Sequence, residues 1–168
     1  MRKAVAAAGS VAFFALAPGV IAGLIPWSLT GWDAKETWAP LRVLGVVLIA
    51  AGLVVLVQAF VRFVVEGVGT PAPVAPTEHL VVGGLYRHVR NPMYVAVAAI
   101  IVGQALVLGR PALLLYAAAF VAVTATFVRL YEEPVLRERF GAEYDAYRRA
   151  VPGWWPRRHP WQGGERED

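Results

Sequence analysis

The stretch LRVLGVVLIAAGLVVLVQAFVRFVV, residues 41–65, decides the fold. No ionisable residue lies between Val43 and Val61, and Arg42 and Arg62 stand near the ends. There their long stems let the guanidinium reach the interface. At 1.5 Å per residue about 20 residues cross a hydrocarbon core of ~30 Å, so this stretch reads as a membrane-spanning helix. The rest of the chain agrees. Its 168 residues are 58% hydrophobic, with a mean hydropathy of +0.53. A soluble domain of this size cannot hide that much apolar surface.

Upstream, Ala4 to Ile25 is a first span of 22 residues without a charge. A signal peptide is the competing reading, because Arg2 and Lys3 precede the run and Ala15-Leu16-Ala17 mimics a cleavage site; the run continues well past that site, which favours a retained helix. Pro26 to Pro40 reads as a polar loop, with Trp27, Trp32 and Trp38 as an interfacial belt. Downstream, Gly67 to Pro76 holds Pro71, Pro73 and Pro76 and is a helix-free linker. The third run, Met93 to Leu108, has only 16 residues, short for a span unless the membrane thins or the helix begins before Pro92. Gly109-Arg110-Pro111 is a tight turn, and Ala112 to Tyr131 returns as the fourth span, antiparallel to the third.

The expected fold is therefore all-α and integral to a membrane, with about four transmembrane helices, a C-terminal helical hairpin and an amphipathic cytosolic tail helix. In the tail, Leu136, Phe140, Tyr144, Tyr147 and Val151 recur at helical spacing, and Pro134 suits a first turn. This helix should end at Pro152 and lay its stripe on the membrane or on the loop before the third helix. Gln162 to Asp168 reads as a frayed end. The natural division is a membrane scaffold over 1–66 and a catalytic module over 67–168.

Charge sets the orientation. Arg2, Lys3, Arg87, Arg90, Arg137, Arg139, Arg148, Arg149, Arg157, Arg158 and Arg166 fall on one side of a four-span arrangement; Lys35, Arg42 and Arg110 fall on the other. The positive-inside rule puts both termini in the cytoplasm, in the cell (inner) membrane. The net charge of +4 does not point to nucleic acid, since the basic residues flank hydrophobic segments instead of clustering on a binding motif. The chain has no cysteine, which excludes thiol nucleophiles, Cys-ligated zinc and disulfides. No metal is called for, and the oligomeric state is not readable.

The apolar spans carry almost no ionisable groups, which argues against transporters and proton pumps. Polar residues gather in two blocks, TEHLVVGGLYRHVRNPMY at 77–94 and RLYEEP at 129–134. The hairpin brings the start of the third helix to the end of the fourth, so the blocks should meet. Gly83-Gly84 allows close backbone approach to a ligand. Glu132 and Glu133 are paired carboxylates at a membrane boundary, where ionising both is costly without a cationic or hydroxyl-rich partner. A ligand with an ammonium, a sulfonium and a ribose would supply one. The same residues also read blandly: Arg87 and Arg90 as topology markers, Glu132-Glu133 as a solvated helix end, Arg129 as a snorkelling side chain, His88 as an exposed loop residue.

Gly84-x-Tyr86-x-x-x-Arg90-Asn91-Pro92-x-Tyr94, followed by Glu132-Glu133-x-x-Leu136-x-x-x-Phe140-Gly141-x-x-Tyr144-x-x-Tyr147-x-x-x-Val151-Pro152, resembles the isoprenylcysteine carboxyl methyltransferases and the related phospholipid N-methyltransferases. The resemblance covers about residues 77–156. It implies an S-adenosylmethionine site between the last two helices and the tail. By position, His79, Leu80 and Val81 would line that site, Tyr86 would pack on the cofactor, Asn91, Pro92 and Tyr94 would form its wall, and Glu132 would bind it. Arg90 and Glu133 are the expected catalytic pair, and Arg129 the expected contact to an anionic substrate group. The sequence departs from the carboxyl methyltransferases at Asn91, where they usually carry His, and the stretch before Tyr86 is one residue shorter. Asn keeps hydrogen-bonding capacity without titrating near neutral pH.

The function expected from this resemblance is methyl transfer from S-adenosylmethionine to a lipidic or amphipathic acceptor bearing a carboxylate, amine or hydroxyl, at the cytosolic membrane face. Such transfer is an in-line displacement that needs alignment and a desolvated pocket more than a nucleophilic side chain. An amine acceptor must also lose a proton, which Glu133 or His88 could take. The alternatives are a membrane NADPH-dependent reductase of the sterol reductase type, for whose pyrophosphate Glu132-Glu133 is a poor neighbour, and a non-catalytic membrane scaffold.

Overall fold

The computed structural model describes residues 16–67 and 79–163; residues 4–15 of the first span, most of the proline-rich linker and the end of the tail lie outside the described residues. Among the described residues the chain is helical, with no strand. The helices are α1 (Leu16–Thr30), α2 (Ala39–Gly67), α3 (Pro92–Leu108), α4 (Ala112–Phe127) and α5 (Glu133–Ala150). A wide π turn, Val128–Glu132, joins α4 to α5 without a break, and a short 3-10 turn, Gly84–Arg87, precedes α3.

Among the described residues, two stretches are long and apolar enough to cross a bilayer: Ala39–Arg62, with mean hydropathy 2.7 in its most apolar window, and the run that begins at Ala112, with 2.0. In each, only 22% of that window is buried within the protein. Val43, Val46, Val47, Val54, Leu115 and Val123 are all more than half exposed. An apolar helix buried on one narrow face and bare elsewhere is what a lipid solvent requires. The buried stripe runs along α3, which is the centre of the assembly: Ala96, Val97, Ile100, Ile101 and Ala105 pack with Leu56 of α2 and with Leu113 and Ala117 of α4. α2 and α3 come close because Gly45 faces Gly103; a Cβ on either would sit 2.6–2.7 Å from the other's carbonyl oxygen. Small residues at the contact are how helices gain packing energy where lipid competes equally for apolar surface.

The sequence expectation of a loop from Pro26 is corrected by the structure. α1 continues through Pro26 to Thr30 and ends at Gly31, in the left-handed region at φ 60°. Proline brings no N–H, so a helix running through it strands carbonyls upstream. Here a π turn over Val20–Leu24 precedes the proline, with the Ile25 N–H bonded to the Val20 carbonyl. The Ala22 carbonyl thus lacks the proline's N–H and the Ile21 carbonyl that of Ile25, and neighbouring side chains take both. Gln104 Nε2 of α3 donates to Ala22 O at 2.7 Å, and Tyr116 Oη of α4 donates to Ile21 O at 2.8 Å. Inside a bilayer no water could have done this.

The connections at this end of the bundle are tied together. The Lys35 N–H donates to Leu108 O at 2.9 Å and Arg110 Nε to Asp33 O at 2.9 Å. The loop after α1 and the turn after α3 thus lie on the same side. At the opposite end α5 begins, with Pro134 in its first turn as expected. It breaks at Gly141, whose φ of 53° and ψ of −124° are open to glycine and strained for other residues. Beyond that break the expected stripe turns inward. Tyr144, Tyr147 and Val151 are buried against Leu80, Val82, Leu136, Phe140 and Trp161, so the tail helix lays its stripe on the loop before α3.

Candidate functional site

The two polar blocks meet at the junction of α3, α4 and α5. Glu132 closes the π turn and Glu133 opens α5. Successive helical residues point about 100° apart, so neighbouring carboxylates cannot share one partner. They diverge accordingly. Glu132 Oε1 accepts a hydrogen bond from Tyr94 Oη of α3 at 2.5 Å. Glu133 is held between two guanidiniums: Arg90 Nη1 at 2.8 Å from Oε1 and Arg148 Nη2 at 3.0 Å from Oε2. Arg90 also donates from Nε to Val151 O at 3.0 Å and from Nη1 to Tyr144 Oη at 3.0 Å. One arginine before α3 therefore fastens α5 at its first turn, about three turns further on at Tyr144, and at its end.

Tyr94 is walled by aromatic rings. Trp154 stacks on it at 6.3 Å between centroids, and Phe120 of α4 meets it edge-on at 6.5 Å. Trp154 belongs to a segment that sequence periodicity did not single out, residues 152–161, which straps across the loop. The Arg90 and Asn91 N–H groups donate to Pro152 O and Gly153 O at 2.9 and 3.2 Å. The Arg157 and Trp161 N–H groups donate to His88 O and Arg87 O, both at 3.0 Å. Arg87 Nε returns to Trp161 O at 2.6 Å, and His88 Nδ1 lies 2.9 Å from Arg157 O. His88 is thus part-buried and partnered, not the exposed loop residue its context suggested.

The other expected residues divide into three groups. Asn91 and Pro92 start α3 beside this site, and the Asn91 side chain makes no cap bond. Leu80 joins the Tyr144–Tyr147 cluster, while Val81 and Tyr86 are buried with Ala59 of α2 and against Met93. Tyr147 Oη donates to the Tyr86 carbonyl at 2.7 Å. His79 is exposed at the edge of the described loop, and Arg129 is exposed one turn before Glu133 without an ion-pair partner among the described residues.

Burial shapes the electrostatics. Glu132, which lies beyond the apolar stretch ending at Phe127, has its carboxyl pushed above the ordinary range by burial, with the Tyr94 hydrogen bond pulling the other way. On α5, burial raises the Tyr147 phenol well above its usual value. It raises Tyr144 too, against the opposing pull of Arg90. The result is a partly desolvated carboxylate held by the hydroxyl of a ring-packed tyrosine, next to a carboxylate whose charge is already matched. Such a site favours a cation.

Fold and site together define a helical membrane protein in which a buried carboxylate and a ring-packed tyrosine sit where two apolar helices meet a charge-rich tail. The model of the phospholipid methyltransferase family matches residues 41–143, from α2 to beyond the middle of α5. The chain belongs to that family and is a membrane methyltransferase. No curated protein and no solved structure matches it. The matched segment contains Arg90, Tyr94, Glu132 and Glu133 but stops before Tyr144, Trp154 and the strap.

Proposed function

We propose that the protein transfers a methyl group from S-adenosylmethionine to a lipidic or amphipathic acceptor at the cytosolic face of the cell membrane, with four crossings and both termini in the cytoplasm. The observation that carries this reading is the Tyr94–Glu132 hydrogen bond under the Trp154 ring. It assembles a carboxylate and two aromatic faces, a set suited to a sulfonium. The residues fit the cofactor on a second count: among the described residues Tyr94 is the one hydrogen-bond partner of Glu132, and the Asn91 amide makes no side-chain cap bond, which leaves polar groups for an amine or ribose.

Bound there, S-adenosylmethionine supplies an electrophilic methyl on a cationic sulfur. Glu132 offsets that charge, Tyr94 and Trp154 flank it and exclude water, and Asn91 offers a neutral hydrogen bond. Pro92 walls the site, with His79, Leu80, Val81 and Tyr86 forming its loop side. Arg90 and Glu133, expected as a catalytic pair, take a positioning role in this reading, because both oxygens of Glu133 are committed to guanidiniums. Arg129, exposed at the boundary, meets an anionic group of the acceptor. The first two helices, within 1–66, serve as scaffold, and 67–168 as the catalytic module.

The test titrates purified protein in detergent with S-adenosylmethionine and with NADPH by calorimetry. Saturable binding of the first and none of the second is expected; the converse would replace this reading with a reductase, and binding of neither with a scaffold. Reporter fusions after Trp38 and after Arg110 should both read as extracytoplasmic, and a cytosolic signal at either point rejects the four-span arrangement.

A further inference from the structure

A groove of about 400 Å³ opens beside the Arg90–Glu133 pair, lined by Arg90, Arg137, Asp145, Arg148 and Arg149. That volume is in the range of small-molecule sites. Four guanidiniums face it against two carboxylates, Asp145 within the lining and Glu133 behind it. Arg90, Arg137 and Arg148 are anchored: Arg90 and Arg148 by Glu133, and Arg137 by Asp145, 2.9 Å from its Nε. Each of the three keeps unused N–H groups, since a guanidinium carries five. Arg149 has no ion-pair partner among the described residues. Pre-oriented guanidiniums with spare donors and surplus charge are suited to a phosphate, which they grip bidentately.

We propose that this groove binds the phosphate of an anionic phospholipid that is not the methyl acceptor. Its position favours a lipid over free phosphate. Arg90 stands two residues before Pro92, where apolar α3 begins. On the run leading to Arg137, Leu130, Tyr131 and Val135 are exposed at 72%, 46% and 39%, which carries the lipid-facing surface to the groove's edge. A headgroup held there presses α5 onto the bilayer and makes the tail's seating depend on the membrane's surface charge. Apart from Arg90, the site uses arginines that the methyl-transfer reading leaves idle, and it stands whether or not that reading holds.

The test uses the full chain in a neutral detergent, titrated below micelle-forming concentrations with dihexanoyl phosphatidylglycerol and dihexanoyl phosphatidylcholine, and separately with inorganic phosphate. Saturable binding of the phosphatidylglycerol is expected, with the other two at least about tenfold weaker. The double variant Arg137→Gln/Arg149→Gln should bind it at least about tenfold more weakly, and Arg137→Lys/Arg149→Lys should recover part of the loss. Both positions are exposed, and the thermal unfolding midpoint of the Gln pair in detergent should stay within about 2 °C of wild type, which reports an intact fold. Inorganic phosphate binding as tightly as the lipid overturns the lipid assignment. Phosphatidylglycerol that fails to bind, or that binds the Gln pair as well as wild type, overturns the site.

Discussion

Replacing Glu133 by Gln should unfasten the tail. The carboxylate and the Arg90 side chain are 15% and 14% exposed and lie 2.8 Å apart, so this arm behaves as a buried ion pair. Removing one partner of such a pair costs about 3–5 kcal/mol, mainly because the other charge stays behind. Gln retains an acceptor, and one neutral hydrogen bond returns about 1 kcal/mol. The second arm, to Arg148, reaches a side chain that is 41% exposed, and solvent screening limits it to roughly 0.5 kcal/mol. The net expectation is a loss of about 2.5–4.5 kcal/mol, or roughly 5–18 °C in Tm for a chain of this size. Thermal unfolding in detergent, followed by tryptophan fluorescence, measures it, since Trp154 and Trp161 sit on the strap that Arg90 holds. A cycle isolates the pair: Arg90→Leu/Glu133→Leu should cost clearly less than the sum of Arg90→Leu and Glu133→Leu. Additive losses, or a Tm within about 1 °C of wild type for Glu133→Gln, would show that the contact does not fasten the tail.

Glu132→Gln should weaken S-adenosylmethionine binding by about 1.5–3 kcal/mol, while leaving Tm near or above wild type, because a charge raised out of its ordinary range by burial is removed. The sign of the pH effect follows from the same shift. A raised carboxyl favours the protonated form, so the ligand-free fold gains stability as pH falls, and cofactor affinity drops on acidification already above the ordinary value of 4.5. A pH-independent dissociation constant between mildly acidic and neutral buffer would detach Glu132 from the cofactor. Asn91→Ala should cost about 0.5–1.5 kcal/mol of cofactor affinity and little stability, with Asn91→His largely retaining affinity; undiminished binding in Asn91→Ala excludes the contact. Gln104→Leu strands the Ala22 carbonyl and should cost about 1–2 kcal/mol, and a smaller amount in a Pro26→Ala background that restores an N–H, which unfolding curves of the four proteins compare directly.

The parts of the fold that were legible in sequence are those written by length and period. The 41–65 run could only be a spanning helix, and the Leu136–Val151 stripe could only be a helix with one face to bury. Pro26 misled for a physical reason. In isolation it ends a helix, and what lets α1 pass through it is hydrogen bonding from Gln104 and Tyr116, some 80 to 95 residues away in sequence. No local rule reports that. Gln104 did carry a signal, as a lone amide inside an apolar run, where an unexplained polar group at membrane depth calls for a named partner.

The site was legible as a meeting of two blocks but not in its division of labour. Glu132-Glu133 reads as a pair, and consecutive helical positions should instead have been read as two groups facing different neighbours. That step of about 100° turns Glu132 to Tyr94 and Glu133 to two guanidiniums. The strap at 152–161 left no periodic trace, because its order comes from backbone groups bonded to Arg87, His88, Arg90 and Asn91 across more than 60 residues. Its residues, Pro-Gly-Trp-Trp-Pro, read as a loop, and a loop is what they are. Yet the strap holds Trp154 over Tyr94, so the aromatic wall of the site depends on a segment outside the stretch that defines the family. Glu132 comes from the stretch that matches the family model. Trp154, the ring stacked on its partner Tyr94, comes from the tail beyond that stretch.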